Sequence, residues 1–528
     1  MSQSFKFISR LLKKEYFILF LILALFLITR LYKIGEVPSS VYWDEASIGY
    51  NAFSIVQTGR DEWGETFPLH FKAFGEYKLP VYIYSVALPV KLFGLHEWTV
   101  RLPAVVFSIF SILLTFLIAK TISGQTFVGL LSAFSLSITP YMFIFSRTGY
   151  EATAGLTFFL LGVWIFLRSR QNLWLLLLSV LSLVISMYAY NSYRIIAPLA
   201  MLIFILRLLG DYRKQPVKIS LAVAASLIIF LTGCYPIAQF LSSADATSRF
   251  QAVGIDYVNR KKIFIGLDVV GNYLSHFNPN FLFLNGDQNA RSQQPGFGEL
   301  IIFDAVLLLL GLFYLRKEPS GWRWPVLFAL LGFIPAALTR EVPHALRSLS
   351  AAPFLIIISS YGVVFLRERF AESKKLILWA VVIGYLGMFA VYFNNFLCVY
   401  SVNSGKDWQE EYKLAFQTYA PDFAKYDHIQ MSDRYSEPYI FALYYLSFNP
   451  DTFRRTVVYN TGKISATSVV KSFDKFIFDT IDYHHLPEGK TLIFAHPTDR
   501  LNELPVKNIL YRRDGSVAFY VYEYDNFR

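Results

Sequence analysis

Two adjacent carboxylates, Asp44 and Glu45, follow closely on the first long apolar run of the sequence. A carboxylate at a membrane edge suits general-base chemistry, because partial desolvation raises its pKa towards the working range. The plain alternative is that the pair decorates the first turn of the helix that follows, where acidic residues are favoured. Four further polar clusters stand out. They are Glu76 and Lys78 in FGEYKLP, Arg147 and Glu151 in SRTGYEA, Tyr190, Tyr193 and Arg194 in YAYNSYRIIAP, and Arg340, Glu341, His344 and Arg347 in TREVPHALRSL. Each has an ordinary explanation. Arg147 and Glu151 are four apart and fit a pair along one helical turn. Tyr190, Tyr193 and Arg194 fit an aromatic belt with a snorkelling arginine.

The elements that must hold these residues follow from composition. The 528 residues are 55% hydrophobic, 18% aromatic and only 16% charged, with a mean hydropathy of +0.41. Soluble chains carry roughly 25% charged residues. Apolar runs recur from Tyr16 to about Asn394, each of about 20 residues and so long enough for a hydrocarbon core of roughly 30 Å. The pattern predicts an α-helical polytopic membrane protein with about eleven transmembrane helices. They fall near 16–34, 98–119, 125–145, 152–167, 173–190, 194–209, 219–240, 300–315, 324–339, 349–366 and 376–397. Basic clusters separate them: Lys6, Arg10, Lys13 and Lys14; Arg168 and Arg170; Arg213, Lys214 and Lys218; Arg316, Lys317 and Arg323; Arg367, Arg369, Lys374 and Lys375. Such clusters mark cytoplasmic loops, so the net charge of +11 argues for membrane orientation and against a nucleic-acid partner. An odd helix count then places the C-terminal segment outside the cytoplasm.

The expected division is a membrane part, 1–399, and a mixed α/β extracytoplasmic domain, 400–528. The membrane part carries two long outer loops, 35–97 and 241–299. In the first loop, VYWDEASIGYNAFSIVQTG reads as an amphipathic helix lying at the interface, and LPVYIYSVALPVKLFG as a second helix starting near Leu79-Pro80. In the C-terminal domain HIQMS, KFIFDT, TLIFAH and SVAFYVYEY read as strands, and EPYIFALYYLSF as a helix. Cys234 and Cys398 form no spaced framework, so redox compartment stays open.

Positive-inside bias should leave outer loops poor in cations, yet Lys78, Arg147, Arg194, Arg340 and Arg347 all fall beside outer helix ends. An anionic ligand accounts for them. Phosphate is the natural candidate, since arginine offers a bidentate fork and lysine a point charge. With an acidic base candidate alongside, the residue set suits displacement of a phosphate leaving group.

The stretch from DEASIGYNAFSIVQTGRDEWGETFPLHFKAFGEYKLPVYIY to FGLHEWTVRLP, with the SRTGYEA, YAYNSYR and PHALRS segments, resembles the bacterial, protein-mannosyltransferase-like branch of the membrane glycosyltransferases of the GT-C fold. That branch, glycosyltransferase family 39 and its relatives, includes protein O-mannosyltransferases and the enzyme that transfers aminoarabinose to lipid A. The resemblance covers about 40–400. It implies a polyprenyl-phosphate sugar donor, inversion at the anomeric carbon, and Asp44 as base with Glu45 beside it. It implies phosphate binding by Lys78, Arg194 and Arg347, with His344 in reserve. Lys78 stands in KLP where the family pattern has KP. Arg147, Glu151, Tyr190, Tyr193 and Glu76 become acceptor-side or supporting residues, Glu45 and Glu151 orienting the acceptor or holding an arginine. Some relatives bind a metal through a Glu and a His. Glu76 with His276 or His344 are the counterparts here, and metal dependence stays open with no other cofactor assigned. Expected partners are the lipid-linked donor, an acceptor glycan, lipid or protein, and membrane lipids, in a multi-pass cell-membrane protein. The rival readings are a lipid-linked sugar transporter or flippase and a non-catalytic glycan-binding relative. The sugar and the acceptor are not readable from the sequence.

Overall fold

The structure is a computed structural model that describes residues 14–169, 172–211, 216–242, 262–317, 323–460 and 469–526. The basic residues Lys6, Arg10, Lys13, Arg170, Arg213 and Lys214, and the early part of the second long loop, lie outside the described residues. In chain order the principal helices and strands are α1 Lys14–Leu31, α2 Trp43–Thr58, β1 Phe71–Ala73, β2 Glu76–Lys78, α3 Pro80–Phe93, α4 Glu97–Ser123, α5 Thr126–Ile138 and α6 Ala152–Arg168. There follow α7 Leu175–Ala189, α8 Tyr193–Asp211, α9 Pro216–Leu241, α10 Lys262–Ser275, α11 Phe303–Leu315, α12 Arg323–Gly332, α13 Ala352–Arg369 and α14 Lys374–Asn395. The chain ends with α15 Glu410–Tyr419, β3 His428–Met431, α16 Pro438–Tyr445, α17 Pro450–Thr456, β4 Val458–Tyr459, β5 Val470–Phe473, β6 Phe476–Phe478, β7 Gly489–Ala495, β8 Val506–Tyr511 and β9 Val517–Asn526.

The chain divides into two compact units. One comprises residues 1–32 and 104–394, the other 33–103 and 395–528. The first long loop, which the sequence attaches to the membrane part, thus shares a unit with the C-terminal segment.

In the first unit every apolar run falls on an apolar helix. Among the described residues five helices are long and apolar enough to cross a membrane, and shorter apolar helices accompany them. Their outward faces stay apolar: Phe20, Ile28, Leu309, Leu376, Trp379 and Ile383 are all exposed. In water such a surface would be a liability, and in lipid it is the expected finish. The protein is a polytopic membrane protein. Two runs are interrupted. Pro140 ends α5 after Ile138, and Pro335 follows a break after Gly332, because proline lacks the N–H that a continuing helix requires. The second loop holds α10, whose exposed Ile263, Leu267, Val270 and Leu274 form a helical stripe.

Lipid offers no hydrophobic drive to bring helices together, so close approach depends on small residues. Helices α11 and α13 cross on two glycines. A Cβ on Gly311 would come within 1.9 Å of the Ile358 carbonyl oxygen, and one on Gly362 within 2.1 Å of the Leu307 carbonyl oxygen.

In the second unit α2 is not the surface-lying amphipathic helix its sequence suggests. Residues Glu45 to Ala52 are all buried, because α2 packs against α3 on one side and against α16 and α17 on others. It stops at Gly59, whose φ of 70° supplies the left-handed cap. The seven-stranded sheet runs β4-β5-β6-β3-β7-β9-β8, with β3 parallel to both β6 and β7 and the other pairings antiparallel. The four expected strands and the expected helix, α16, are present. Strands β4, β5 and β8 are additional to those expected.

Substituting Gly311 or Gly362 by leucine should force α11 and α13 apart and cause misfolding. The readout is loss of the monodisperse peak in detergent size-exclusion chromatography, with Gly387→Leu, where a Cβ meets nothing, as the tolerated control.

Candidate functional site

The residues with chemistry fall into two groups, one in each unit. In the second unit, Phe74 and Gly75, with φ of 53° and 75°, make a two-residue turn between β1 and β2. Positive φ at both positions matches the strand twist of a tight hairpin. Side chains alternate along β2, so Glu76 and Lys78 share a face. Pro80 opens α3 just beyond. The Lys78 side chain, only 3% exposed, forms an ion pair with Asp44 on the first turn of α2 and lies 3.6 Å from Glu76. Asp44 and Glu76 remain partly open to solvent. Asp44, Glu76 and Lys78 therefore meet in one cluster.

Glu45 points elsewhere. It has no solvent exposure, and its two oxygens receive Nε and Nη2 of Arg101 at 3.0 and 3.2 Å. Arg101 also donates to the carbonyls of Ile34, Pro38 and Ser40. Of the two parts expected for Glu45, orienting the acceptor or holding an arginine, the geometry fits the second: both acceptor atoms are taken by Arg101 and water is excluded. Sequence reading passed over Arg101. Its signal was a charged residue inside the opening turns of an apolar helix.

Burial pushes Glu62 up to about 8, with Asp61 adding repulsion. Glu437 is likewise raised by burial to about 8, and Glu411 to about 7. Glu62 is held by Asn51, Trp63 and Tyr439.

In the first unit Arg147 caps a helix. Its guanidinium donates to the carbonyls of Thr29, Arg30 and Tyr32, which close the C-terminus of α1. That geometry fits a supporting part for Arg147, and Glu151 stands at the start of α6. Tyr190 and Tyr193 are buried. The Tyr193 ring lies over Gly155, where a Cβ would come within 2.4 Å, and packs on Phe159. Their burial and packing fit a supporting part. Arg194, at the start of α8, keeps partial exposure.

Ser192 donates to the Arg347 carbonyl at 3.3 Å, which ties the start of α8 to the 340–348 turn. Arg347 is 17% exposed, sits 3.9 Å from Glu341, and has a buried Nη1 with no hydrogen-bond partner. A guanidinium only partly satisfied is available to an incoming anion. His344 differs. Burial first, then Arg347, His276 and Arg291, hold its imidazole well below the usual histidine range. A ring held toward the neutral form meets phosphate as an N–H donor rather than as a counter-charge.

The loop from Gly286 to Glu299 supports this turn. Asp287 accepts from Ala345 N–H at 2.8 Å and donates its own N–H to Glu299 at 2.8 Å. His276 is spent internally, with Nδ1 against the Asn272 carbonyl and Nε2 accepting from His344 N–H. With both ring nitrogens engaged it does not fit a metal ligand. Among the described residues no group of three or more His, Cys, Asp or Glu could hold an ion.

Comparison with known proteins fits this architecture. ArnT from Cupriavidus metallidurans in the apo state superposes with a TM-score of 0.59 at 12% identity, over 96% of this chain and 97% of that one. The same protein bound to undecaprenyl phosphate gives 0.57 at 12% identity and the same coverage. The archaeal oligosaccharyltransferase AglB from Archaeoglobus fulgidus, in complex with an inhibitory peptide and a dolichol-phosphate, gives 0.51 at 11% identity, over 82% of this chain and 64% of that one. The chain therefore has the GT-C fold, with a C-terminal α/β region. The profile of the family described as dolichyl-phosphate-mannose-protein mannosyltransferase matches residues 78–236. A search of curated proteins finds no match.

Two predictions follow from this geometry. Arg101→Ala should strand Glu45 as an uncompensated buried charge, at a cost of about 3–5 kcal/mol, read as a large fall in the thermal melt of the purified protein. Glu62 gives a pH dependence of unusual sign. Between its unfolded value of 4.5 and its folded value of about 8, the folded state keeps a proton that the unfolded chain releases, so stability falls as pH rises through that window. Melts at pH 5, 6, 7 and 8 should show this fall, and Glu62→Gln should make it shallower.

Proposed function

We propose that the chain is an inverting glycosyltransferase that moves a sugar from a polyprenyl-phosphate donor to an acceptor hydroxyl on the extracytoplasmic side of the cell membrane. The observation that carries this reading is the Lys78 ammonium lodged between Asp44 and Glu76. A base candidate and a phosphate-binding candidate are in direct contact, on a hairpin and a helix that fix both. The relatives of the same fold bound to undecaprenyl phosphate and to a dolichol-phosphate support a lipid phosphate as the donor's leaving group. The matched family's description supports sugar transfer.

The chemistry is a single displacement. Asp44 takes the proton of the acceptor hydroxyl as its oxygen bonds to the anomeric carbon. The bond from that carbon to the phosphate oxygen breaks from the opposite face, and its electron pair leaves with the lipid phosphate. The leaving group is a weak base and needs no general acid. Cations must instead meet the charge that develops on the phosphate oxygens. Lys78 supplies one such contact. When donor phosphate competes for its ammonium, Asp44 is released for proton transfer. Arg194 and Arg347 are the further phosphate ligands. In this reading residues 1–399 are the catalytic membrane part, and 400–528 form an extracytoplasmic domain.

Asp44→Asn should abolish transfer from a polyprenyl-phosphate sugar while the protein still purifies folded, and near-normal turnover would remove Asp44 from the role of base. Arg347→Ala should lower turnover about 10²-fold, in line with the loss of one transition-state charge contact. Single-turnover kinetics with a radiolabelled donor would measure both.

A further inference from the structure

Helix α2, which carries Asp44, begins without a cap of its own. The first N–H groups of a helix have no partner within it, and a serine, threonine, aspartate or asparagine at the N-cap ordinarily supplies one. Tyr42 holds that position here and makes no side-chain cap bond. The acceptor comes instead from the C-terminal segment. Gln409 Oε1 takes the N–H of Trp43, the first residue of α2, at 3.0 Å. From its other side the same amide donates Nε2 to the carbonyls of Tyr435 at 2.7 Å and Ser436 at 3.3 Å. An N–H on one side and two carbonyls on the other leave the amide a single orientation.

Gln409 is itself held in place. It is 4% exposed, and its backbone is left-handed with φ of 49°. The turn it reaches contains two more left-handed residues, Ser436 and Glu437, with φ of 66° and 49°. Such conformations are unfavourable for residues with a Cβ and persist where the surroundings enforce them. Tyr412 donates its hydroxyl to the Ser436 carbonyl at 3.2 Å. The buried Trp408 sets its ring edge-on to Tyr42 at 5.4 Å and donates Nε1 to the Tyr400 hydroxyl at 2.7 Å. Two further contacts grip the approach to α2. Lys413 Nζ donates to the Ser39 carbonyl at 2.9 Å, and the Tyr445 and Ser40 hydroxyls share a hydrogen bond of 2.8 Å. The C-terminal segment thus holds residues 39, 40, 42 and 43. Asp44 comes next, and Glu45 beyond it is locked to Arg101. Asp44 stands between two clamped neighbours.

We propose that Gln409 is a positioning residue for the transfer reaction: its amide fixes the first turn of α2 and thereby the place of the Asp44 carboxylate beside Lys78. This part rests on the transferase reading above, and it gives the C-terminal segment a share in the chemistry without contact with substrate. A base must stand within hydrogen-bond reach of the proton it takes, and a misplacement of about 1 Å can lower a rate about 10²-fold. In that reading the donor phosphate is met by Lys78, Arg194 and Arg347, which stand on other elements, so loss of Gln409 should spare donor affinity.

The test uses the full-length protein in detergent. Gln409→Met keeps the length of the side chain and removes its acceptor and its donors. Gln409→Asn keeps an amide one methylene shorter, unable to span Trp43 and the 435–436 carbonyls together. Each should lower kcat about tenfold or more, while KM for a polyprenyl-phosphate sugar changes by less than about twofold. Asn449→Ala, which removes the side-chain cap of α17, is the control: it loosens another helix of the same segment and should leave kcat near that of the unaltered protein. Hydrogen–deuterium exchange supplies a readout without turnover, and the peptide bearing residues 43–45 should exchange faster in both Gln409 variants than in Asn449→Ala. Normal kcat in both Gln409 variants, a loss confined to KM, an equal loss in Asn449→Ala, or unaltered exchange at 43–45 would each overturn the proposal. Failure of the transferase reading is distinct: Asp44→Asn would then keep near-normal turnover, while exchange at 43–45 still reports whether Gln409 holds the turn.

Discussion

The Glu45–Arg101 pair is the constraint on which the second unit depends. Two opposite charges without solvent exposure are costly to bury, and their attraction offsets that cost only where every remaining hydrogen-bonding position is filled. Here the carboxylate takes two guanidinium contacts and the guanidinium fills the rest with carbonyls from the 34–40 segment. The pair thereby joins three stretches: the approach to α2, the first turn of α2, and the start of α4. Asp44 is the residue immediately before Glu45, so its position follows from the same anchor. The base candidate keeps partial access to water while its neighbour is sealed.

A second pattern is the separation of charged from neutral polar surfaces. Lys78 sits among acids, and Arg347 keeps one nitrogen unsatisfied at a turn. His344, three residues from Arg347, is stripped of charge by burial and by neighbouring cations.

The membrane helices were legible because a run of about 20 apolar residues has few alternative fates. The four expected strands were legible from alternation. The hairpin at 71–78 was not, since Phe-Gly is a weaker turn signal than Asn-Gly, although it decides that Glu76 and Lys78 face the same way. Residue types marked Asp44, Glu76 and Lys78 as candidates, which the structure brings together, and they did not distinguish Asp44 from Glu45. Only burial does so: one carboxylate is partly exposed and the other is sealed against Arg101. The packing of Tyr193 was not legible for a similar reason. A tyrosine near a helix end reads as a ligand contact or an anchor, and the small residue that admits its ring, Gly155, lies some forty positions away in the sequence.

The capping of α1 by Arg147 bears on how the protein is assembled. A guanidinium that must settle among helix-end carbonyls needs those carbonyls in place first. Synthesis from the N-terminus meets that need, because residues 29–32 emerge before 147 does.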